Sequence, residues 1–177
     1  MKLTWFGGTT ARIHIGGVIL VIDAAGAPAQ IVASELVSGA DCVVENFGAG
    51  LGAVDSAQWR PRKAQRPLDE EATEPAVACW QAGPGALLVE APGEPVLLLI
   101  KGAVPALGRW ADGAVVVLFG DGEALSGAGQ TVLAARGPRL LALAGDEAAL
   151  DQAIGALRDV LDGAALLALE AGLAVEI

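Results

Sequence analysis

Five polar side chains follow predicted strands at the points where α/β proteins place their chemistry. They are Asp23 after "VILVI", Glu45 and Asn46 after "DCVV", Asp121 after "AVVVLFG" and Asp146 after "RLLALAG". Ligands gather at the carboxyl ends of strands in such folds, so these residues are candidates for one site. Their oxygens suit Mg²⁺ or Ca²⁺. The alternative is that they cap helices and fix turns, because no two of them lie at a recognised ligand spacing.

A glycine-rich stretch, "GDGEALSGAGQT" at 120–131, precedes a predicted helix and invites comparison with a phosphate-binding loop. The comparison fails, because Ala128 and Gly129 stand where a P-loop has Lys and Ser or Thr. We therefore interpret the stretch as a loop that leads into a helix with Ser126 as its N-cap.

The chain has a single histidine, His14, in the alternating stretch "ARIHI" beside Arg12. We expect it to be solvated, since no Ser or Cys nucleophile lies at an interpretable spacing from it. Cys42 and Cys79 show no CxxC spacing and lie on apolar stretches, which predicts buried free thiols.

Length and composition predict one globular domain, residues 1–177. The hydrophobic fraction of 54% excludes disorder, and the apolar runs have the length of strands rather than of the ~20-residue helix that spans a bilayer. A net charge of −10 argues against nucleic acid and anionic membranes as partners. The N-terminal stretch lacks the apolar core of a signal peptide, so we expect a cytoplasmic location.

The first half of the chain predicts strands and one helix. Residues 1–23 read as two strands around the Gly16–Gly17 turn, and alternation in "ARIHI" places Ala11, Ile13 and Ile15 on one face. Residues 28–39 predict a helix ending at Gly39, and "DCVVE" predicts a strand.

Residues 55–75 form a charged surface excursion in this interpretation, with basic residues followed at once by acidic ones. The basic cluster at 60–66 could bind an anion or an acidic partner, or pair with the neighbouring acidic run. Trp59 could meet Trp80 and Trp110, either in the core or at an interface.

The second half predicts an antiparallel meander followed by α/β alternation. Three short strands lie between 76 and 102, then a strand at 113–120, a helix from Ser126, a strand at 139–145 and a helix capped by Asp146. The last thirteen residues predict a turn and a closing strand.

Taken in order, these segments resemble the small metallo-β-lactamase-fold hydrolases. "KLTWFGGTTARIHIGGVILVIDA" is similar to the family's opening strands, which run from W-L-G-H to I-D-P. "SGADCVVENFGAGLG" lies where the family has HxHxDH, and "PVLLLIKG" where it has a strand ending in Gly-Asp-Thr. The resemblance implies a trimmed α/β (α+β) fold, a four-layer αββα sandwich with two mixed sheets and helices outside.

The resemblance also implies that the family's metal ligands are absent. The HxHxDH ligand positions hold Asn46, Gly48, Gly50 and Leu51. The remaining ligand positions fall at Lys101 with its two successors and at about Ala144, and the His of W-L-G-H is replaced by Gly8, so only Asp23 of the family's site region is kept. Since zinc needs three or four converging donors, we expect no metal and no cofactor.

These expectations lead to one main hypothesis and two alternatives. The main hypothesis is a catalytically inactive, metal-free protein that acts as a binding, scaffold or regulatory subunit, in a homo-oligomer or with a protein partner. The first alternative is a metal-dependent hydrolase with a relocated site of Asp23, Glu45, Asn46 and Asp121. The second is a small-molecule sensor that uses the former active-site cleft, with Phe47 and Leu51 in its loop.

Overall fold

The computed structural model describes residues 1–62 and 76–177. These residues form a mixed α/β fold of two mixed β-sheets and three α-helices, which confirms the general fold class predicted from the sequence. Residues 63–75 of the predicted charged excursion lie outside the described residues.

The first sheet is built mostly from the N-terminal part of the chain. Its strands are β1 (Lys2–Gly7), β2 (Thr10–Ile15), β3 (Val18–Ile22), β4 (Cys42–Val44) and, from the C-terminus, β11 (Ala174–Glu176). The spatial order is β11-β1-β2-β3-β4, with β3 and β4 parallel and the other neighbours antiparallel. The predicted alternation is confirmed, because Ala11, Ile13 and Ile15 are buried on one face.

The second sheet contains the remaining strands of the described residues. They are β5 (Ala78–Gly83), β6 (Ala86–Glu90), β7 (Leu97–Ile100), β8 (Val115–Phe119), β9 (Leu140–Ala144) and β10 (Ala165–Ala168), in the spatial order β10-β9-β8-β7-β6-β5. The pairs from β5 to β7 form the predicted antiparallel meander, and the pairs from β7 to β10 are parallel. Continuous apolar strands such as β7 and β8 are buried on both faces.

The helices are α1 (Ala33–Val37), α2 (Gly122–Ala135) and α3 (Glu147–Leu157). Short 3₁₀ turns lie at Ala24–Gly26, Asn46–Gly48, Arg109–Ala111 and Arg158–Val160. No helix in the described part of the chain combines the length and the hydrophobicity needed to cross a bilayer.

Three clusters of buried side chains show how the elements pack. The largest joins the two sheets, since it contains inward residues of β1 to β4 together with those of β6 to β9. A second cluster packs α2 and α3 on the other face of the second sheet. A third, smaller cluster packs Leu36 of α1 on Val21 of β3.

The structure corrects four local predictions. Residues 1–23 contain three strands rather than two, and the last thirteen residues contain two strands, β10 and β11, rather than one. The helix expected over 28–39 is confined to α1, because the β-branched Val32 is extended and Ile31 closes a turn onto Pro28. Helix α2 begins at Gly122 and not near Ser126, since Asp121 accepts a hydrogen bond from the Ala124 amide and so caps it.

Residues 55–62 are held firmly against the second sheet. Ser56 is buried and its hydroxyl donates to the carbonyl of Ala106 at 2.7 Å. The Trp59 ring lies 5.5 Å from each of the Trp80 and Trp110 rings, centroid to centroid, which confirms that the three indoles meet. Arg62 pairs with Glu90, an acid on β6 that is buried and that the sequence did not single out.

Two glycines of α2 provide a matched test of helix packing. Gly129 faces α3, and a Cβ added there would lie 2.7 Å from Leu157 Cδ1, whereas a Cβ on Gly127 would meet nothing within 4 Å. We expect Gly127→Ala to raise the free energy of unfolding by about 0.5 to 1 kcal/mol through helix propensity. Gly129→Ala should lower it by about 1 kcal/mol or more because of overpacking. Urea denaturation measures both, and an equal gain in the two variants would contradict this packing.

Candidate functional site

The carboxyl ends of strands from both sheets meet at one point. Asp23 follows β3, and Lys101 follows β7 directly. The Lys101 Nζ lies 3.6 Å from the Asp23 Oδ2, so the two sheets present their strand ends to each other. This is the position where α/β folds gather functional groups, and it contains the one candidate that the resemblance retained.

Asp23 organises this junction through both of its carboxylate oxygens. Oδ1 accepts the backbone N–H of Phe47 at 2.6 Å, and Oδ2 accepts the hydroxyl of Thr9 at 2.7 Å. The Asp23 carbonyl accepts the hydroxyl of Thr10 at 2.9 Å, and its amide donates to the carbonyl of Val44 at 2.8 Å. The residue is 6% exposed, so these bonds replace the water that the carboxylate would otherwise bind.

The 3₁₀ turn at Asn46–Gly48 has a strained backbone and places the Phe47 ring in the core. Asn46 and Phe47 both have positive φ, 50° and 51°, which is unusual for a bulky residue such as Phe. Phe47 is nevertheless 1% exposed and meets the Phe119 ring edge to face, with 5.6 Å between the centroids. Gly48 packs so closely that an added Cβ would lie 2.9 Å from Leu87 Cδ1, which explains the small residue at this point.

Lys101 supplies the positive charge of the junction. Its Nζ lies 4.9 Å from the centroid of the Phe47 ring, within the range of a cation–π contact. Its side chain is 36% exposed. The ion pair with Asp23, at 3.6 Å between Nζ and Oδ2, is longer than a hydrogen bond. The ammonium therefore faces solvent on one side and the buried carboxylate on the other.

A cleft of about 550 Å³ opens beside this ion pair, and we call it the Lys101 cleft. Its surface is mainly apolar, and four of the lining positions are glycines. The lining residues are Trp5, Gly7, Gly8, Thr9, Lys101, Phe119, Gly120, Ala144, Gly145 and Asp146. They include Lys101 and Ala144, where the resemblance places lost metal ligands, and Gly8, where it places the His of W-L-G-H.

The other candidate carboxylates have different partners from those of the Asp23–Lys101 pair. Asp121 and Asp146 accept the amides of Ala124 and Ala149 and cap α2 and α3, which is the structural alternative considered for both. Asp146 also lines the Lys101 cleft. Glu45 is exposed, with the Ala25 amide 3.5 Å from its Oε2.

The proximity of these groups does not amount to a metal site. Among residues 1–62 and 76–177, no group of three or more His, Cys, Asp or Glu side chains is placed to hold a metal ion. Asp23, Glu45 and Asn46 lie in neighbouring loops. Asn46 contributes to the junction through its backbone conformation, which positions Phe47.

His14 and the two cysteines lie outside the junction. His14 is exposed on β2, as expected. Cys42 is exposed on β4, so the prediction of a buried thiol is wrong there, because β4 is an edge strand. Cys79 is partly buried against the main core, and burial, with a smaller contribution from the negative charge of Cys42, raises its pKa from 9.0 to about 12.

Sequence reasoning missed Lys101 and Thr9 as members of the site. In the sequence, Lys101 marks only the absence of a carboxylate from a ligand position of the family. The available signal was its place in "PVLLLIKG", where a cation follows directly after a fully buried strand. Comparison with known proteins gave no match, whether to a family model, to a curated protein or to a solved structure.

Substitution of Asp23 tests the junction. We expect Asp23→Ala to lower the free energy of unfolding by about 2 to 4 kcal/mol, because it leaves the buried Phe47 amide and the Thr9 hydroxyl without their acceptor. Asp23→Asn is the matched control: it keeps one oxygen acceptor and tolerates the positive φ of 48° that Asp23 has, so its loss should be about half as large or less. Chemical denaturation checks this, and equal losses would show that the acceptor is unimportant.

Thiol labelling tests the placement of the cysteines. At pH 8 we expect iodoacetamide to modify Cys42 first. Labelling of Cys79 should be slower by roughly a hundredfold at least, because burial keeps Cys79 in its protonated thiol form. The raised pKa also means that this thiol stabilises the fold below pH 9 and that its contribution is lost as pH rises from 9 toward 12. Mass spectrometry of Cys42→Ser measures Cys79 alone, and rapid labelling of that variant would contradict the burial.

Proposed function

We propose that this chain is a catalytically inactive, metal-free protein of the metallo-β-lactamase fold that acts as a binding, scaffold or regulatory subunit. One observation carries the proposal: the ammonium of Lys101 lies 3.6 Å from the carboxylate of Asp23, where that fold would place a metal. The protein then supplies an internal cation at the point where a hydrolase would bind an external one.

The arrangement of the chain supports this fold. A core between two mixed sheets, with α1 outside one and α2 and α3 outside the other, is what an αββα sandwich requires. Strand ends from both sheets converge on Asp23 and Lys101. The convergence of Lys101 and Ala144 on one cleft agrees with the ligand positions that the resemblance assigns to them, and Gly8, at the His of W-L-G-H, lines the same cleft.

The donor set at the junction does not fit a divalent metal. Among the described residues, Asp23 is the carboxylate that pairs with Lys101, and its two oxygens already accept the Phe47 amide and the Thr9 hydroxyl. A metal at this place would meet the like charge of Lys101 at short range. Hydrolysis in this fold depends on a metal to generate hydroxide, so we derive no hydrolytic step.

The partners in this proposal are a second copy of the chain or another protein, in the cytoplasm, and not nucleic acid. Trp59 and Arg62, the latter from the basic cluster at 60–66, are the residues that we expect to mark an interface. Their contacts with Trp80, Trp110 and Glu90 show that both stabilise the fold. Substituting them would therefore report on folding as well as on association.

A second candidate function is small-molecule sensing, and the Lys101 cleft favours it. Its volume of about 550 Å³ falls in the range of ligand pockets, and its mainly apolar surface with two charged residues, Lys101 and Asp146, matches their composition. The hydrolase alternative with Asp23, Glu45, Asn46 and Asp121 remains a hypothesis, and it would require Asp121 to leave its role as the cap of α2.

Metal analysis tests the main proposal. The protein, expressed with Zn²⁺ and Mn²⁺ in the medium and dialysed mildly, should contain no stoichiometric metal, and its thermal midpoint should not respond to Zn²⁺, Mn²⁺ or Mg²⁺. Lys101→Asp should be less stable, because it places two carboxylates together, and Mg²⁺ or Mn²⁺ should partly restore its midpoint. Lys101→Met is the matched control that loses the cation without gaining a ligand.

One result would overturn the proposal outright. A stoichiometric metal in the wild-type protein that disappears in Asp23→Asn would show a rebuilt metal site and return the hydrolase alternative to first place.

A further inference from the structure

We propose that the Lys101 cleft binds a medium-chain monocarboxylate, with the carboxylate on Lys101 and the apolar chain running over Trp5 toward α3. This inference rests on the proposed function, because it takes Lys101 as a fixed cation and the junction as free of metal. It adds the chemical class of the ligand and the direction in which it lies.

The charged end of the site is defined by the hydrogen-bonding capacity of Lys101. An ammonium has three donors, and among the described residues its Nζ makes one ion pair at 3.6 Å and a contact with the face of Phe47. Asp23 is better satisfied, since each of its oxygens accepts a bond of 2.7 Å or less. The ammonium therefore has donors left for a ligand, whereas the carboxylate does not need one.

The neighbouring surface is apolar rather than a second cation. The indole N–H of Trp5 donates to the carbonyl of Gly8 at 3.0 Å, so only the apolar part of the ring remains for a ligand. Phe119 and Ala144 extend this surface. One ammonium with apolar walls matches a monovalent anion that carries a hydrocarbon body, and it lacks the further cations that a phosphate group would call for.

The direction of the chain follows from a second groove. A groove of about 710 Å³ between α3 and the end of β10 shares Trp5, Gly145 and Asp146 with the Lys101 cleft, so the two adjoin. Leu150 and Ile154 of α3 add apolar surface there. Glu147, Asp151 and Glu170 also line the groove, and their negative charge disfavours the ligand's carboxylate there and leaves Lys101 as its place. Asp146 lies at the junction of the two, but its carboxylate accepts the Ala149 amide at 2.8 Å and is stabilised by the N-terminus of α3.

Octanoate, octanamide and acetate are the probes of the test, added to the full-length protein and followed by titration of backbone amide signals in NMR. Octanoate should bind saturably and shift the glycine signals of the cleft. Octanamide, which lacks the charge, should bind more weakly by roughly tenfold at least. Acetate should bind far more weakly still, because each buried CH₂ group contributes up to about fourfold in Kd.

Variants assign the two ends of the ligand. Lys101→Met should weaken octanoate on the order of tenfold or more while leaving octanamide unchanged, and Lys2→Met, an exposed lysine elsewhere, is the matched control. The double variant Asp23→Asn with Lys101→Met removes both charges, so a loss there cannot be repulsion from an unpaired Asp23. Leu150→Glu should abolish the gain from chain length and leave acetate binding unchanged.

The outcomes separate this inference from the proposed function. Equal binding of octanoate and octanamide to the wild-type protein, or no saturable binding, overturns the inference and leaves the metal-free assignment standing. If Lys101→Met does not fold, the comparison of the two probes on the wild type and on Lys101→Arg decides, because Arg keeps the charge. A stoichiometric metal in the same sample overturns the proposed function instead.

Discussion

The burial of one carboxylate is the constraint on which the rest of this structure depends. Asp23 is 6% exposed, and an ionised carboxylate so far from water must be hydrogen-bonded or paired at almost every lone pair. The partners come from separate parts of the chain: Thr9 and Thr10 from the β1–β2 turn and β2, Phe47 from the turn after β4, and Lys101 from the end of β7. Satisfying this group therefore fixes the turns at the strand ends and ties the first sheet to the second.

The same constraint explains the conformation of the loop after β4. The amide of Phe47 can reach Asp23 only if the turn tightens, and Asn46, Phe47 and Gly48 all take positive φ. Such backbone strain costs of order 1–3 kcal/mol for a residue with a large side chain. It is offset by the hydrogen bond to a charged acceptor and by burial of the Phe47 ring against Phe119 and beneath the ammonium of Lys101. The residue type at position 48 suits this conformation, because only Gly fits so close to the side chain of Leu87.

The fold class and most strands could be predicted because hydrophobic periodicity depends on neighbours in sequence. The two-residue alternation of Ala11, Ile13 and Ile15 and the unbroken run of β8 both describe which faces are covered. Helix ends were less predictable, because Asp121 and Ser126 are both residue types that cap helices well. In the structure α2 begins at Gly122, close behind the end of β8, so Asp121 is the cap. The site was predictable in one residue, Asp23. Thr9 belongs to the β1–β2 turn of the first sheet and reaches Asp23 through the pairing of β2 with β3. Lys101 belongs to the second sheet, and its meeting with Asp23 depends on the stacking of the two sheets, which no local pattern encodes.

In the function we propose, a lysine of the chain takes the place that a metal has in the active hydrolases of the fold. A cluster of carboxylates and imidazoles attracts a metal, and the metal in turn attracts anions and water. Here Lys101 performs the first task permanently, because its charge is covalently attached and is balanced by Asp23. What is left over is an ammonium with unused donors in the lining of a mainly apolar cleft, where a positive charge favours anionic ligands. In the function we propose, the protein therefore keeps the attraction of this place for anionic ligands without a metal that could generate hydroxide.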